Sequence, residues 1–329
     1  MAEKKTVFEQ VRALGGNALI YGLGSVLLKG LSFFLLPLYT RYLSPESYGV
    51  LAVCLAITAV LGIVFPLTLH ASLPHFHNKT QDPEARARGL WTLWLGITIP
   101  SPVMAILLDR IGPYLSSHLL PGIPFDPYIR LSVWTAYFTT FGLLPLILLQ
   151  VEERPKAYVL LTSAATLLGV ALITGLVVVA KRDVTGYLLG GFLASAIMAV
   201  PFTWVILRRC RRVWQWDQMK SMLAYSLPLV PHLLASWALT VADRFILERH
   251  VPLGEVGVYM VAAQLGAVLA VISGALHSAW SPNLFRRHAE EGERAKPDLA
   301  RMVPYVFVLL CWVALALSVL APQIVTILT

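Results

Sequence analysis

GVLAVCLAITAVLGIVFPLTLH, residues 49–70, contains no Asp, Glu, Lys or Arg. A helix rises about 1.5 Å per residue, so a run of this length crosses the roughly 30 Å hydrocarbon layer of a bilayer. The run is too long for a strand and lacks the alternation of a membrane barrel. It therefore reads as a membrane-spanning helix. Comparable apolar stretches lie at 17–39, 89–108, 131–151, 157–180, 185–207, 222–245, 255–280 and 303–322. Together they predict an all-α, polytopic membrane helix bundle of about nine transmembrane helices. Between the third and fourth, DRIGPYLSSHLLPGIPFDPYIR (109–130) reads as a loop with enough apolar residues to lie along an interface.

Composition supports this reading outward from the quoted run. Of the 329 residues, 57% are hydrophobic and 13% charged, and mean hydropathy is +0.70. A soluble domain of this size needs more charge to cover its surface. The formal net charge of +8 does not point to nucleic acid, because the basic residues sit in short loops between apolar runs. The lipid bilayer and its anionic inner leaflet are the expected partner. Cys54, Cys210 and Cys311 are isolated and make neither a disulfide framework nor a Cys-x-x-Cys site. The polar segment 1–16 leads into a hydrophobic run with a lysine in its middle and no small-residue cleavage site. It is read as a cytoplasmic N-terminal segment before a retained first span.

Loop charge fixes the expected orientation. With a cytoplasmic N-terminus, inside segments hold eighteen of the 26 Lys and Arg, outside segments hold seven, and Lys29 falls within a span. Every alternate loop then obeys the positive-inside rule. The densest block, Arg208-Arg209-Cys210-Arg211-Arg212, joins two halves on the cytoplasmic side.

Displacing the sequence by 208 positions places Arg41 on Arg249, Gly49-Val50 on Gly257-Val258 and Pro74 on Pro282. Each Gly-Val is read as beginning an even-numbered span and each proline as ending one. The offset implies a six-helix unit repeated in parallel, a transporter architecture with the substrate path between its halves. The domain expectation follows: a six-helix lobe at 17–207, a basic cytoplasmic linker at 208–221, and the first three helices of a second lobe at 222–329.

Polar residues inside spans are the candidate substrate pathway. Tyr21, Ser25, Lys29 and Ser32 are spaced 4, 4 and 3, on one helix face. Lys29 lies near mid-membrane, where a cation costs about 3 kcal/mol unless it meets water or a partner. It is either a cavity-lining charge for an anionic or proton-coupled substrate, or one half of a structural ion pair. The seventh span repeats the spacing with His232, Ser236, Thr240 and Asp243, followed by Arg244. The hydroxyls read as packing glue. Asp243 and Arg244 are either pathway residues or boundary charges pairing with Glu248 or Arg249. Gln264 and His277 are weaker candidates in the eighth span. Prolines at 37, 66, 100, 102, 145, 228 and 231 read as kinks.

Enzyme chemistry finds no support. There is no G-x-x-x-x-G-K-[ST] loop, and Gly22 and Gly24 lie inside an apolar span. His70, His75 and His77 lack a carboxylate or cysteine at ligand spacing and read as a polar loop. No cofactor is expected, and ion coupling to protons or sodium cannot be read from the residues.

LLKGLSFFLLPLYTRYLSPESYGVLAV (27–53), YSLPLVPHLLASWALTVADRFIL (225–247) and GEVGVYMVAAQLGAVL (254–269) resemble the bacterial polysaccharide flippases. These form a branch of the multidrug/oligosaccharidyl-lipid/polysaccharide exporter superfamily that handles O-antigen, capsule and related glycans. The resemblance runs over essentially the whole chain. It implies an inner-membrane transporter, not an enzyme, moving undecaprenyl-diphosphate-linked oligosaccharide to the periplasmic leaflet by alternating access. Other polysaccharide-assembly proteins are implied as further partners. Lys29 would then compensate an anionic head group that leaves water. The resemblance also implies twelve or fourteen spans, so about nine is the expectation for a chain lacking its last helices. Competing expectations are an integral-membrane glycan polymerase or ligase, which would need a catalytic outer loop, and a drug exporter of the same superfamily.

Overall fold

The computed structural model describes residues 35–80, 82–267, 269–270, 272–273, 304, 307–320 and 323. Every regular element among them is helical. They divide into two compact units between Val256 and Gly257.

In the first unit, the short helix α1 (Leu36–Thr40) precedes α2 (Pro45–Val64). The Ser44 hydroxyl caps α2 by accepting the Ser47 N–H, and Pro45 occupies its first turn. Proline is favoured there because its missing N–H would have had no helical partner. The span therefore starts four residues before the apolar run that signals it. Its end also differs from expectation. Leu67 and Thr68 adopt φ of 46° and 52°, and the chain turns into a 3-10 segment, Leu69–Ser72, and α3 (Leu73–Lys79). Pro74 opens this short helix rather than ending a span.

Helix α4 (Pro83–Thr98) repeats the start signal, with Asp82 accepting the N–H groups of Glu84 and Ala85. Helix α5 (Pro100–Leu119) follows at once, so Pro83–Leu119 is a 37-residue helical run. At 1.5 Å per residue it is about 55 Å long, well beyond the hydrocarbon layer. The stretch expected as a loop from 109 is thus helical as far as Leu119. Asp109 marks the edge of the apolar span without stopping the helix, and Arg130 pairs with it at 3.0 Å. Gly112 and Ser116, one turn apart, pack inward beside the turn at Phe125, while Ile111, Tyr114 and Leu115 stay exposed.

Helix α6 (Arg130–Val151), entered through a π-turn at Phe125–Ile129, is the hub of the unit. It packs most extensively on α8 (Asp183–Leu207) and then on α2. Helix α7 (Pro155–Thr174) lies against α8. Gly190 permits that approach, since a Cβ there would meet the Ile173 backbone at 2.8 Å. Small residues at such crossings let helices gain van der Waals contact in lipid. Helix α9 (Trp216–Ser226) begins inside the expected linker. It is followed by a break at Leu227–Pro228, then α10 (Leu229–Val241) and α11 (Asp243–His250).

A buried cluster of Leu69, Leu73, Leu90, Leu93, Trp94, Ile97, Leu144, Leu148, Ile206, Met219 and Met222 joins α3, α4, α6, α8 and α9. Large apolar side chains such as Leu160, Val200 and Leu239 point outward, exposed by 70% or more. That distribution suits a lipid surround rather than water.

Among the described residues, six helices or helical runs are long and apolar enough to cross a membrane: Pro45–Val64, Pro83–Leu119, Phe125–Val151, Pro155–Val179, Asp183–Leu207 and Trp216–Val241. Leu253–Ala267 and Phe307–Leu320 are shorter apolar helices where the eighth and ninth spans are expected. The first expected span lies outside the described residues up to position 34.

Candidate functional site

Successive spans run antiparallel, so the connections of the first unit gather at two ends. At one end, the Ser47 hydroxyl donates to Asp183 Oδ2 at 2.6 Å. The Gly122 N–H donates to Glu248 Oε1 at 2.8 Å. Arg249 Nε and Nη2 donate to the carbonyls of Leu119 and His118, each at 3.0 Å. Helix α11 is thereby clasped to the α5–α6 turn.

At the other end, Arg211 pairs with Glu84 at 2.8 Å. Glu152 Oε2 lies 3.3 Å from Arg154 Nε and 3.4 Å from Arg209 Nη2, close enough for ion pairing but without hydrogen-bond geometry. His75 stacks on Tyr225 with ring centroids 5.0 Å apart. The Thr68 hydroxyl, fully buried, donates to the Ser226 carbonyl at 2.8 Å. That carbonyl lacks its helical donor, because the Val230 N–H bonds Leu227 O instead; Pro231, which would be the donor to Leu227 O, has no N–H.

Charge sorts between these ends as the loops predict. Lys79, Arg86, Arg88, Arg154, Lys156, Arg208, Arg209, Arg211, Arg212 and Lys220 belong to the second end. Arg41, Arg110, Arg130, Lys181, Arg182, Arg244 and Arg249 belong to the first.

Of the candidate pathway residues, His232, Asp243, Arg244 and Gln264 fall among the described residues. Tyr21, Ser25 and Lys29 lie outside the described residues, as does His277. His232, Ser236 and Thr240 are exposed on α10, and the Thr240 hydroxyl donates to the Ser236 carbonyl. Trp237 of α10 engages α2, its indole N–H donating to Ala56 O at 3.1 Å. Asp243 is the first residue of α11, about 16 Å along the helical path from His232. Its Oδ1 accepts the Arg244 N–H at 2.9 Å. Arg244 is half-buried. Glu248 and Arg249, the alternative partners expected for this pair, bond to residues 118–122. Gln264 is half-buried on the helix Leu253–Ala267, in the second unit.

Sequence reading missed Glu152 and Thr68, and offered Glu248 only as a partner for Asp243 or Arg244. Glu248 is 7% exposed, yet its sequence neighbours RFILERH give no hint of burial. Each acquires its role from a residue far along the chain, so no local signal marks it.

His70 was expected in a polar loop but sits in the 3-10 turn beside the buried cluster, outside the spanning helices. Burial holds its imidazole below the ordinary value near 6.5. His77 shifts the same way, through burial and the nearby Arg86 guanidinium. A depressed folded-state value means that the unfolded chain takes up the proton first. Stability is then complete above the ordinary value and is lost as pH falls below it. The unfolding midpoint in detergent is expected to drop between about pH 7.5 and about pH 5.5. His70→Asn should shrink that drop; an equal drop in both proteins would remove His70 as its source.

An antiparallel stack of apolar helices, tied at both ends and apolar outward, defines a polytopic α-helical membrane protein. Residues 14–288 match the family model described as polysaccharide biosynthesis protein. The chain belongs to that family. It is 22% identical over 278 residues to the Lsg locus putative protein 1 of Haemophilus influenzae, covering 82% of this chain and 65% of the relative. A solved structure of a MOP superfamily transporter from Pyrococcus furiosus aligns with a TM-score of 0.49 and 16% identity, over 80% of this chain and 64% of that one. The chain thus spans slightly under two-thirds of the length of both relatives.

Proposed function

We propose that the chain acts in a flippase that carries lipid-linked oligosaccharide, on a polyprenyl diphosphate, from the cytoplasmic to the periplasmic leaflet of the bacterial inner membrane. The observation that carries this reading is the family match over residues 14–288, which lies on an antiparallel bundle with one markedly basic end. That end faces the cytoplasm under the positive-inside rule, and the N-terminus lies on the same side. Transport by alternating access moves the head group between helices of two lobes, 17–207 and 222–329. Lys29, with Ser25 and Tyr21 on the same face of the first span, supplies the positive charge that offsets desolvation of the diphosphate. His232, Asp243, Arg244 and Gln264 extend the pathway onto the seventh and eighth spans. No residue is assigned a catalytic role, and no cofactor is assigned.

The test is reconstitution of the full chain into liposomes containing a fluorescent polyprenyl-diphosphate oligosaccharide. Accessibility to a membrane-impermeant quencher reports movement between leaflets. Wild type should move the lipid faster than protein-free vesicles, and equal rates would refute the function. Lys29→Ala should slow movement by about tenfold or more, with Lys29→Arg retaining most of it. If both variants match wild type, the lysine is structural.

A further inference from the structure

The connection from α8 to α9, residues 208–215, does not hang free from the bundle. The Arg211 N–H donates to the Ala87 carbonyl at 3.0 Å, and the Gln215 N–H donates to the Thr92 hydroxyl at 3.1 Å. These bonds lay the segment along the first turns of α4. There the sequence changes from PEARAR (83–88) to GLWTLW (89–94), which is the step from aqueous to apolar surroundings. The segment is therefore held at the height of the lipid head groups.

Two of its arginines are already engaged, Arg211 by Glu84 and Arg209 by Glu152. Arg208, Arg212 and Lys220 are exposed and make no ion pair among the described residues. Three tryptophans accompany them. Trp204 is 53% exposed, with the Arg208 guanidinium 3.5 Å above its ring. Trp214 and Trp216 are 40% and 57% exposed, with ring centroids 5.9 Å apart. Indoles partition to the boundary between hydrocarbon and head groups because they offer a large apolar face and one N–H donor. Uncompensated cations at that same height attract anionic head groups.

We propose that Trp204, Arg208, Arg212, Trp214, Trp216 and Lys220 form a docking surface for the head groups of anionic phospholipids. The indoles set the depth and the three cations select the charge. The surface binds phosphatidylglycerol in preference to phosphatidylcholine. None of its six residues is among the candidate pathway residues, and it does not depend on the function proposed above.

The experiment uses the full chain in nanodiscs that contain either brominated phosphatidylglycerol or brominated phosphatidylcholine at equal mole fraction, with tryptophan quenching as the signal. Brominated phosphatidylglycerol should quench more strongly. In the triple variant Arg208→Gln, Arg212→Gln, Lys220→Gln that preference should fall by about tenfold or more. The charge-conserving pair Arg208→Lys, Arg212→Lys should keep it, as should Arg110→Gln at the opposite end of the bundle. The two retaining variants separate loss of charge from loss of fold. Equal quenching by the two lipids in wild type would overturn the proposal, as would a preference surviving the triple substitution. Displacement of brominated phosphatidylglycerol by a low concentration of polyprenyl diphosphate would also overturn it, reassigning the surface to the lipid-linked diphosphate.

Discussion

Replacing Gly49 with alanine is expected to destabilise the first unit by roughly 3 kcal/mol, the upper end for overpacking. A Cβ at Gly49 would lie 2.0 Å from the Leu253 carbonyl oxygen and 2.8 Å from its carbon. Those are backbone atoms of Leu253, the first residue of the helix Leu253–Ala267, so no rotamer change relieves the overlap. Either α2 moves away from residues 252–254, or that helix start lifts from α2. Leucine at 49 should be worse still. Gly62, on the same helix, offers a matched control, because a Cβ there meets nothing within 4 Å. Gly62→Ala should be neutral or slightly stabilising through the helix propensity of alanine. Unfolding of the detergent-solubilised variants measures both effects. Equal midpoints for Gly49→Ala and Gly62→Ala would show that the close approach at 253 does not exist.

Glu248→Ala should cost about 2 kcal/mol, because the Gly122 N–H loses its acceptor in a part-buried turn. The side chain is 7% exposed, which limits how readily water replaces it. Glu248→Gln keeps an acceptor oxygen at the same position and should recover most of the loss. Arg249 would still hold the carbonyls at 118 and 119, so the α5–α6 turn should loosen rather than detach. Limited proteolysis at Leu120–Pro124, compared with thermal unfolding, distinguishes these outcomes. If Glu248→Ala is as resistant as wild type at that turn, the clasp contributes nothing.

The helices themselves were legible because a bilayer demands long uncharged runs, and among the described residues the six expected spans between 49 and 245 are matched by helices of spanning length. Their limits were less legible for two reasons. Apolar residues report the hydrocarbon, whereas a helix starts where its end groups are capped, as at Ser44-Pro45 and Asp82-Pro83. Asp109 likewise marks the edge of the apolar layer while α5 continues to Leu119. Prolines read as kinks or ends, Pro74 and Pro100 among them, prove to occupy first turns. The sorting of charge between the two ends was also legible, since it depends only on which loop a residue occupies. Partners were not. Glu248 and Gly122 are separated by 126 positions, and Glu152 and Arg209 belong to different connections. The spacing of His232, Ser236 and Thr240 correctly places them on one helix. It carries no information on which neighbour that face meets, and α10 presents Trp237 to α2 instead.

The bond from Thr68 to Ser226 has a consequence for how the sequence can drift. The chain breaks at Pro228, and because Pro231 cannot donate to Leu227 O, Val230 N–H does so; the buried Ser226 carbonyl is then satisfied by a hydroxyl 158 positions away. Neither feature is useful alone. A chain with helix-forming residues at 228 and 231 would close its own ladder and have no need of a donor at 68. A chain that kept the prolines but carried valine at 68 would leave Ser226 O stranded. Across descendants of this protein, the prolines and the hydroxyl should therefore be gained and lost together, as a single inherited character written in two distant places.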